Sequence, residues 1–147
     1  MKYIHKPHTS KLASLIISFP AGSRVEYQAP YPKGIAHFME HYRFKETTEF
    51  NSKDLTRFVA YYGGMSNAFT SCDLVNYHIT IPEENIEHGI KALTQIAFHP
   101  TFPEHELQKE KDVVCQEVRL CEEEIDDAIA KNMNSKIFKN SIDHSRI

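Results

Sequence analysis

The chain has 147 residues, 41% of them hydrophobic and 11% aromatic, which is the size of one domain with enough apolar material for a core and excludes wholesale disorder. Its 17 Lys and Arg against 20 Asp and Glu leave a formal charge of -3, and with no basic block along the sequence a nucleic-acid partner is not expected. The longest aliphatic run, Leu15-Ile16-Ile17, is far short of the roughly 20 apolar residues that span a bilayer, so no membrane crossing is expected either.

The predicted elements follow an α+β order. Leu12 to Phe19 is rich in β-forming residues and ends at Pro20-Ala21-Gly22-Ser23, which reads as a strand. Pro32 is placed to open a helix from Lys33 to about Phe44, because its ring is pre-organised for the first helical turn. A second helix is expected from the cap candidates Asn51-Ser52 to Gly63-Gly64. Met65 to Thr70 and Leu74 to Ile81 read as two strands of a hairpin, and in the second Val75, Tyr77, Ile79 and Ile81 alternate with polar residues. Pro82-Glu83-Glu84 opens a helix with an apolar face at Ile86, Ile90, Leu93 and Ala97, stopped by His99-Pro100. Pro103 starts a long helix reaching about Phe138, with a stripe of Leu107, Val114, Val118, Cys121 and Ile125. Between Glu104 and Asp127 this helix carries ten acids against three bases, so its outer faces are expected in solvent.

The most informative residues are His37-Phe38-Met39-Glu40-His41 on the first predicted helix. At about 100° per residue, His37, Glu40 and His41 share an arc of roughly 100°, so one face presents two imidazoles and a carboxylate. Histidines four apart on a helix grip zinc well, and a neighbouring Glu that does not bind the metal can take a proton from metal-bound water. The order is the inverse of His-Glu-x-x-His. A catalytic site of this kind needs a third protein ligand, which the pentapeptide does not supply. The other seven histidines, His5, His8, His78, His88, His99, His105 and His144, show no ligand spacing.

Taken with further separated matches, the chain resembles the pitrilysin/insulinase family of inverted-motif zinc peptidases, to which the mitochondrial processing peptidase belongs. The matches run in order through Phe44-Lys45, Gly63-Gly64, Ser66-Asn67-Ala68-Phe69-Thr70-Ser71, Asp73, Tyr77, His99-Pro100 and Phe102 to Glu110-Lys111-Asp112-Val113-Val114, and span about Leu12 to Glu124. Glu117 stands 76 residues beyond His41, where the family has its liganding Glu, and Glu110 stands seven before it, where the family has a second carboxylate. Seven residues on a helix come within about 20° of two whole turns, so these two carboxylates are expected on one face. The chain departs from the family at Tyr42-Arg43, Glu46 and Val75, where apolar residues, Gly and Thr are usual.

The resemblance implies a mixed, mostly antiparallel sheet packed against helices, as in the first, catalytic domain of the family. It implies Zn²⁺ held by His37, His41 and Glu117, zinc-bound water activated by Glu40, and Glu110 tuning the site as a second catalytic carboxylate. Asn67, Ala68 and Phe69 would form the edge strand that binds a peptide or unfolded-protein substrate. The implied activity is a zinc endopeptidase; the alternative is a non-catalytic product that keeps the zinc ligands and acts as a peptide-binding or interaction subunit. Residues 1–147 are expected to form a single N-terminal domain lacking its final strands, paired with a homologous partner domain or subunit. Cys72, Cys115 and Cys121 form no Cys-x-x-Cys pair, and residues 1–10 hold no apolar signal core, so a reducing, cytoplasmic location is expected.

Overall fold

The computed structural model describes residues 2–27, 30–123, 125, 129, 133 and 136. Strand β1 (Leu12–Phe19) is followed by a 3-10 turn (Ser23–Tyr27), helix α1 (Ile35–Tyr42), helix α2 (Ser52–Tyr61), and strands β2 (Met65–Thr70) and β3 (Val75–Pro82). A short 3-10 turn then leads into α3 (Ile86–Phe98) and α4 (Glu104–Glu123). Among the described residues the sheet is antiparallel throughout, in the order β1-β3-β2, so β3 is central and β2 has an open edge. The register runs from Leu12 opposite Pro82 to Phe19 opposite Val75, and from Met65 opposite Thr80 to Thr70 opposite Val75. An α+β class with an antiparallel sheet is therefore the observed architecture.

The alternation seen in β3 sets the core. Val75, Tyr77, Ile79 and Ile81 all point to one face and are buried against Leu55 and Val59 of α2 and Ala92, Leu93 and Ile96 of α3. Each such side chain, taken fully from water, contributes about 1.5–3 kcal/mol. The helix α2 starts as its sequence dictates, with Asn51 Oδ1 accepting from the Asp54 backbone N–H at 2.9 Å, and it stops where Gly63 adopts φ +72°.

Helix α1 is shorter than the sequence predicts. Gly34, at φ +82°, takes the position before the helix, and Pro32 lies outside the first turn, accepting only a 3.3 Å bond from Ile35 N–H. The start is set instead by the buried carboxylate of Glu26, whose two oxygens accept from Gly34 N–H at 2.8 Å and Ala36 N–H at 2.9 Å. Negative charge at a helix N-terminus is favourable, and here it also satisfies two otherwise unpaired donors. Glu26 is delivered there by a close backbone contact at Gly22. Ser23 and Arg24 N–H bond the carbonyls of Ser71 and Cys72 in the β2–β3 turn, and a Cβ on Gly22 would fall 2.3 Å from Ser71 O.

Three expected core positions are open to solvent, one of them Ile125 at the end of the predicted α4 stripe, 73% exposed. Ile90 on α3 is 51% exposed, and Cys121, placed by periodicity on the apolar stripe of α4, is exposed, as is Cys115. In both helices the apolar arc is wider than the surface that packs on it. The predicted continuation of α4 toward Phe138 falls mostly outside the described residues, and no helix among those described is long and apolar enough to cross a membrane.

The contrast between Ile79 and Ile90 is measurable by urea unfolding. Ile79→Ala, at a position with no exposure, is expected to lose about 2–5 kcal/mol. Ile90→Ala, half exposed, is expected to lose less than about 1 kcal/mol.

Candidate metal centre

The site lies where α1 crosses α4. His37 and His41 sit one turn apart on α1, with ring centroids 4.6 Å apart and planes at 88°, and their Nε2 atoms face each other at 3.1 Å. Glu117, half exposed on α4, brings Oε2 to 3.2 Å from His41 Nε2 and Oε1 to 3.7 Å from His37 Nε2. One donor atom from each of these residues lies within 4.8 Å of the others. Two carboxylates and two histidines separated by some seventy positions of sequence are thus gathered across one helix pair.

The second carboxylate on α4, Glu110, is 2% exposed and reaches the other side of the His41 ring. Its Oε1 is 3.0 Å from His41 Nδ1, while its Oε2 is 2.5 Å from Lys45 Nζ. An ionised carboxylate only accepts, so this contact calls for a proton on His41 Nδ1, the tautomer that in a neutral ring leaves Nε2 as the lone-pair atom facing His37 and Glu117. Burial first, and then the neighbouring His41, hold the pKa of His37 below the ordinary 6.5, which favours a neutral ring with a free lone pair.

This donor set fits a zinc ion. Tetrahedral zinc with N and O ligands at about 2.0–2.1 Å places its donors about 3.3 Å apart, and the closest approaches here are 3.1, 3.2 and 3.7 Å. Lone pairs and a carboxylate brought this close repel unless a cation or a proton lies between them. The imidazole N–H on the far side, held by a buried carboxylate, is the usual support for a ligating histidine.

Glu40, 8% exposed on the same turn of α1, makes none of the Nε2 contacts. Its Oε2 accepts a short hydrogen bond from Thr70 Oγ1 at the end of β2, leaving Oε1 without a partner in that bond. Asn67 and Phe69 project from β2 on the face away from the core, Phe69 being 53% exposed with its ring 6.4 Å from His78. Ala68 lies on the partly buried side, and its N–H points to the open edge, where Asn67 Oδ1 accepts it at 2.9 Å.

The residues that depart from the family pattern have definite partners. Tyr42 donates to Pro103 O at 2.5 Å, with its ring 5.6 Å from Phe102, and Arg43 donates to Ala97 O at 2.7 Å while its guanidinium lies over Phe19, Tyr77 and Phe102. Together they fix the turn before α4, where Phe102 adopts φ +52°. Glu46 accepts from Thr101 through its backbone oxygen at 3.1 Å and its side chain at 3.0 Å. Lys45 and Thr70 are the two site neighbours that sequence patterning did not single out. Both lay inside quoted matches, but their roles arise from contacts between elements distant in sequence.

An inverted His-x-x-Glu-His helix is thus crossed by an acidic helix beside the open edge of an antiparallel sheet. Residues 3–146 match the family described as insulinase, peptidase family M16, and the chain belongs to it. It is 32% identical over 127 residues to an uncharacterized zinc protease, YmxG, of Bacillus subtilis strain 168, covering 86% of this chain and 31% of that one. It is 27% identical over 131 residues to a probable mitochondrial-processing peptidase subunit beta of Arabidopsis thaliana, covering 89% of this chain and 24% of that one. A solved protease from Helicobacter pylori superposes with a TM-score of 0.69 at 28% identity, covering 78% of this chain and 27% of that structure. The chain therefore spans about a third or less of the length of these relatives.

The depressed pKa of His37 has a consequence for the metal-free chain. Between the folded value and the ordinary 6.5 the unfolded chain binds more protons, so stability rises with pH there and is lost as pH falls below 6.5. In chelator-treated protein, urea midpoints measured from pH 7.5 to pH 5 should fall more steeply for wild type than for His37→Gln; parallel slopes would contradict the burial of a neutral ring.

Proposed function

We propose that this chain is the N-terminal, zinc-binding and catalytic part of an endopeptidase that hydrolyses peptides or unfolded segments. The observation that carries the reading is the convergence of His37 Nε2, His41 Nε2 and a Glu117 oxygen, with the Glu40 carboxylate next to them on one helix turn. The names of relatives as zinc proteases support zinc as the ion. When bound, zinc supplies Lewis acidity and brings a water molecule's pKa toward about 7.

The remaining chemistry belongs to the chain. His37, His41 and Glu117 hold the ion, and Glu110 keeps the proton of His41 on Nδ1 so that Nε2 is available. Glu40 is the general base and acid. Thr70 occupies Oε2, so Oε1 is the atom that takes a proton from the attacking water and returns it to the leaving amine. The open edge of β2 offers the Ala68 N–H to a substrate strand once the Asn67 side chain releases it, and Phe69, turned away from the core, contacts an alternate side chain of that strand. Backbone pairing of this kind suits extended or unfolded segments of varied sequence.

A homologous partner domain or subunit completes the machine in this proposal. It is supported by the short span relative to longer relatives and by an Arabidopsis relative that is itself named as a subunit.

Zinc content and cleavage of a flexible fluorogenic peptide test the reading, with the chain alone and with a homologous partner. Wild type is expected to hold one zinc per chain, and Glu117→Ala to lose it. Glu40→Gln is expected to keep zinc while cleavage falls about 10²–10⁴-fold. Zinc uptake by wild type with no cleavage under either condition would leave the site as a peptide-binding module instead.

A further inference from the structure

We infer that Lys45 is a positioning residue of the metal centre, acting through the Glu110 carboxylate on the ring of His41; the inference rests on the zinc reading of this site. Directly after α1 the chain tightens into 3-10-type turns, with Phe44 N–H donating to His41 O at 3.2 Å and Lys45 N–H donating to Tyr42 O at 3.1 Å. Lys45 thus stands four residues beyond His41, within reach of Glu110 on α4. Its ammonium meets Glu110 Oε2 at 2.5 Å, while Oε1 of the same group meets His41 Nδ1 at 3.0 Å.

Two physical facts make that contact matter beyond the pair itself. The torsion that orients a glutamate carboxylate is soft, so an oxygen is fixed in place only when its twin is held. Lys45 holds the twin. The Glu110 side chain is also only 3% exposed, and the Lys45 side chain 26%. A buried carboxylate facing an imidazole alone lacks a full counter-charge and turns toward whatever donor or water it can reach. With Lys45 in place the carboxylate is neutralised from one side and presents the other to Nδ1. The His41 ring, whose outer nitrogen must point at the ion, is then fixed from behind.

The geometry distinguishes Lys45 from the other cations nearby. Arg43 is committed to Ala97 O and to three aromatic rings, and Lys109 to Glu106 at 2.8 Å. Among the described residues only Lys45 forms an ion pair with Glu110 through an ammonium.

Zinc affinity of the 147-residue chain, measured by competition with a fluorescent chelator after alkylation of the exposed Cys115 and Cys121, tests this. Lys45→Met is expected to weaken zinc about tenfold, at the lower end of the effect of removing an outer partner of a ligand, and Lys45→Arg to stay within about threefold of wild type. Glu110→Gln should weaken zinc by a similar or larger factor, and adding Lys45→Met to it should then change affinity less than about twofold. Unchanged affinity in Lys45→Met, or a loss that persists undiminished in the Glu110→Gln background, overturns the inference. A wild-type chain that takes up no zinc, or a His37→Ala chain that binds as well as wild type, overturns the metal reading first and this inference with it. If circular dichroism shows that Lys45→Met does not fold, Lys45→Gln, which keeps the stem and a donor but not the charge, replaces it in the same cycle with the same expected loss.

Discussion

The buried carboxylate of Glu110 is the constraint on which the arrangement of this site depends. A carboxylate almost removed from water must find charge or hydrogen-bond donors, and this one finds His41 on one oxygen and Lys45 on the other. Both partners come from α1 and the turn that ends it, so the interaction sets α4 against α1 in angle and register. Sliding α4 by one turn, about 5.4 Å, would strand the carboxylate and unpair the ammonium together. Once Glu110 is fixed, Glu117 has little freedom. It lies two turns further along the same helix face, about 10.5 Å on, and that displacement carries it past the His41 ring to the outer nitrogens.

The short helix α1 is held at both ends by groups from elsewhere in the chain. Glu26 closes its N-terminus, and the position of Glu26 follows from the close approach of Gly22 to the β2–β3 turn. At the other end, Tyr42 and Arg43 clamp the turn that leads into α4. An eight-residue helix is too short to be stable by itself, so its geometry is borrowed from the sheet and from α4. Rigid support of this kind suits a site whose donors must be held to fractions of an ångström. The two residues at odds with the family pattern behind the second histidine are therefore part of that support.

What the sequence displayed, and what it hid, follows from whether a signal is local. The boundaries of β1, the hairpin, the Asn51 cap and the common face of His37, Glu40 and His41 depend on neighbouring residues, and each is legible in the order of side chains. The start of α1 is not, because a carboxylate eight to ten positions upstream decides it in place of Pro32. Periodicity alone could not separate Glu117 from the other acids on α4, since most of that helix is exposed and acids surround it; only spacing carried over from a family picks it out. Ile90 and Cys121 show the opposite failure. Helical periodicity reports that a face is apolar and does not report what covers it. Lys45 and Thr70 were invisible for a third reason, because a turn lysine and a strand-end threonine are ordinary until the residue they meet is known.

The contact between Thr70 and Glu40 ties the open sheet edge to the acid–base chemistry proposed for the site. Thr70 closes β2, so the strand that would align a peptide also holds the carboxylate that would act on it. Among the described residues no strand pairs with the outer edge of β2, and Asn67 caps the exposed Ala68 N–H there, which keeps that edge donor satisfied and discourages indiscriminate pairing. In the proposed function, a peptide that displaced the Asn67 side chain would gain that donor and enter the register in which Phe69 and Thr70 follow along the same edge. Its backbone would then be measured against Glu40 by a strand whose own position is locked to β3 from Met65 to Thr70. On that proposal, selection by backbone register, with side-chain preference left to exposed positions such as Phe69, would let one rigid site act on segments of differing sequence.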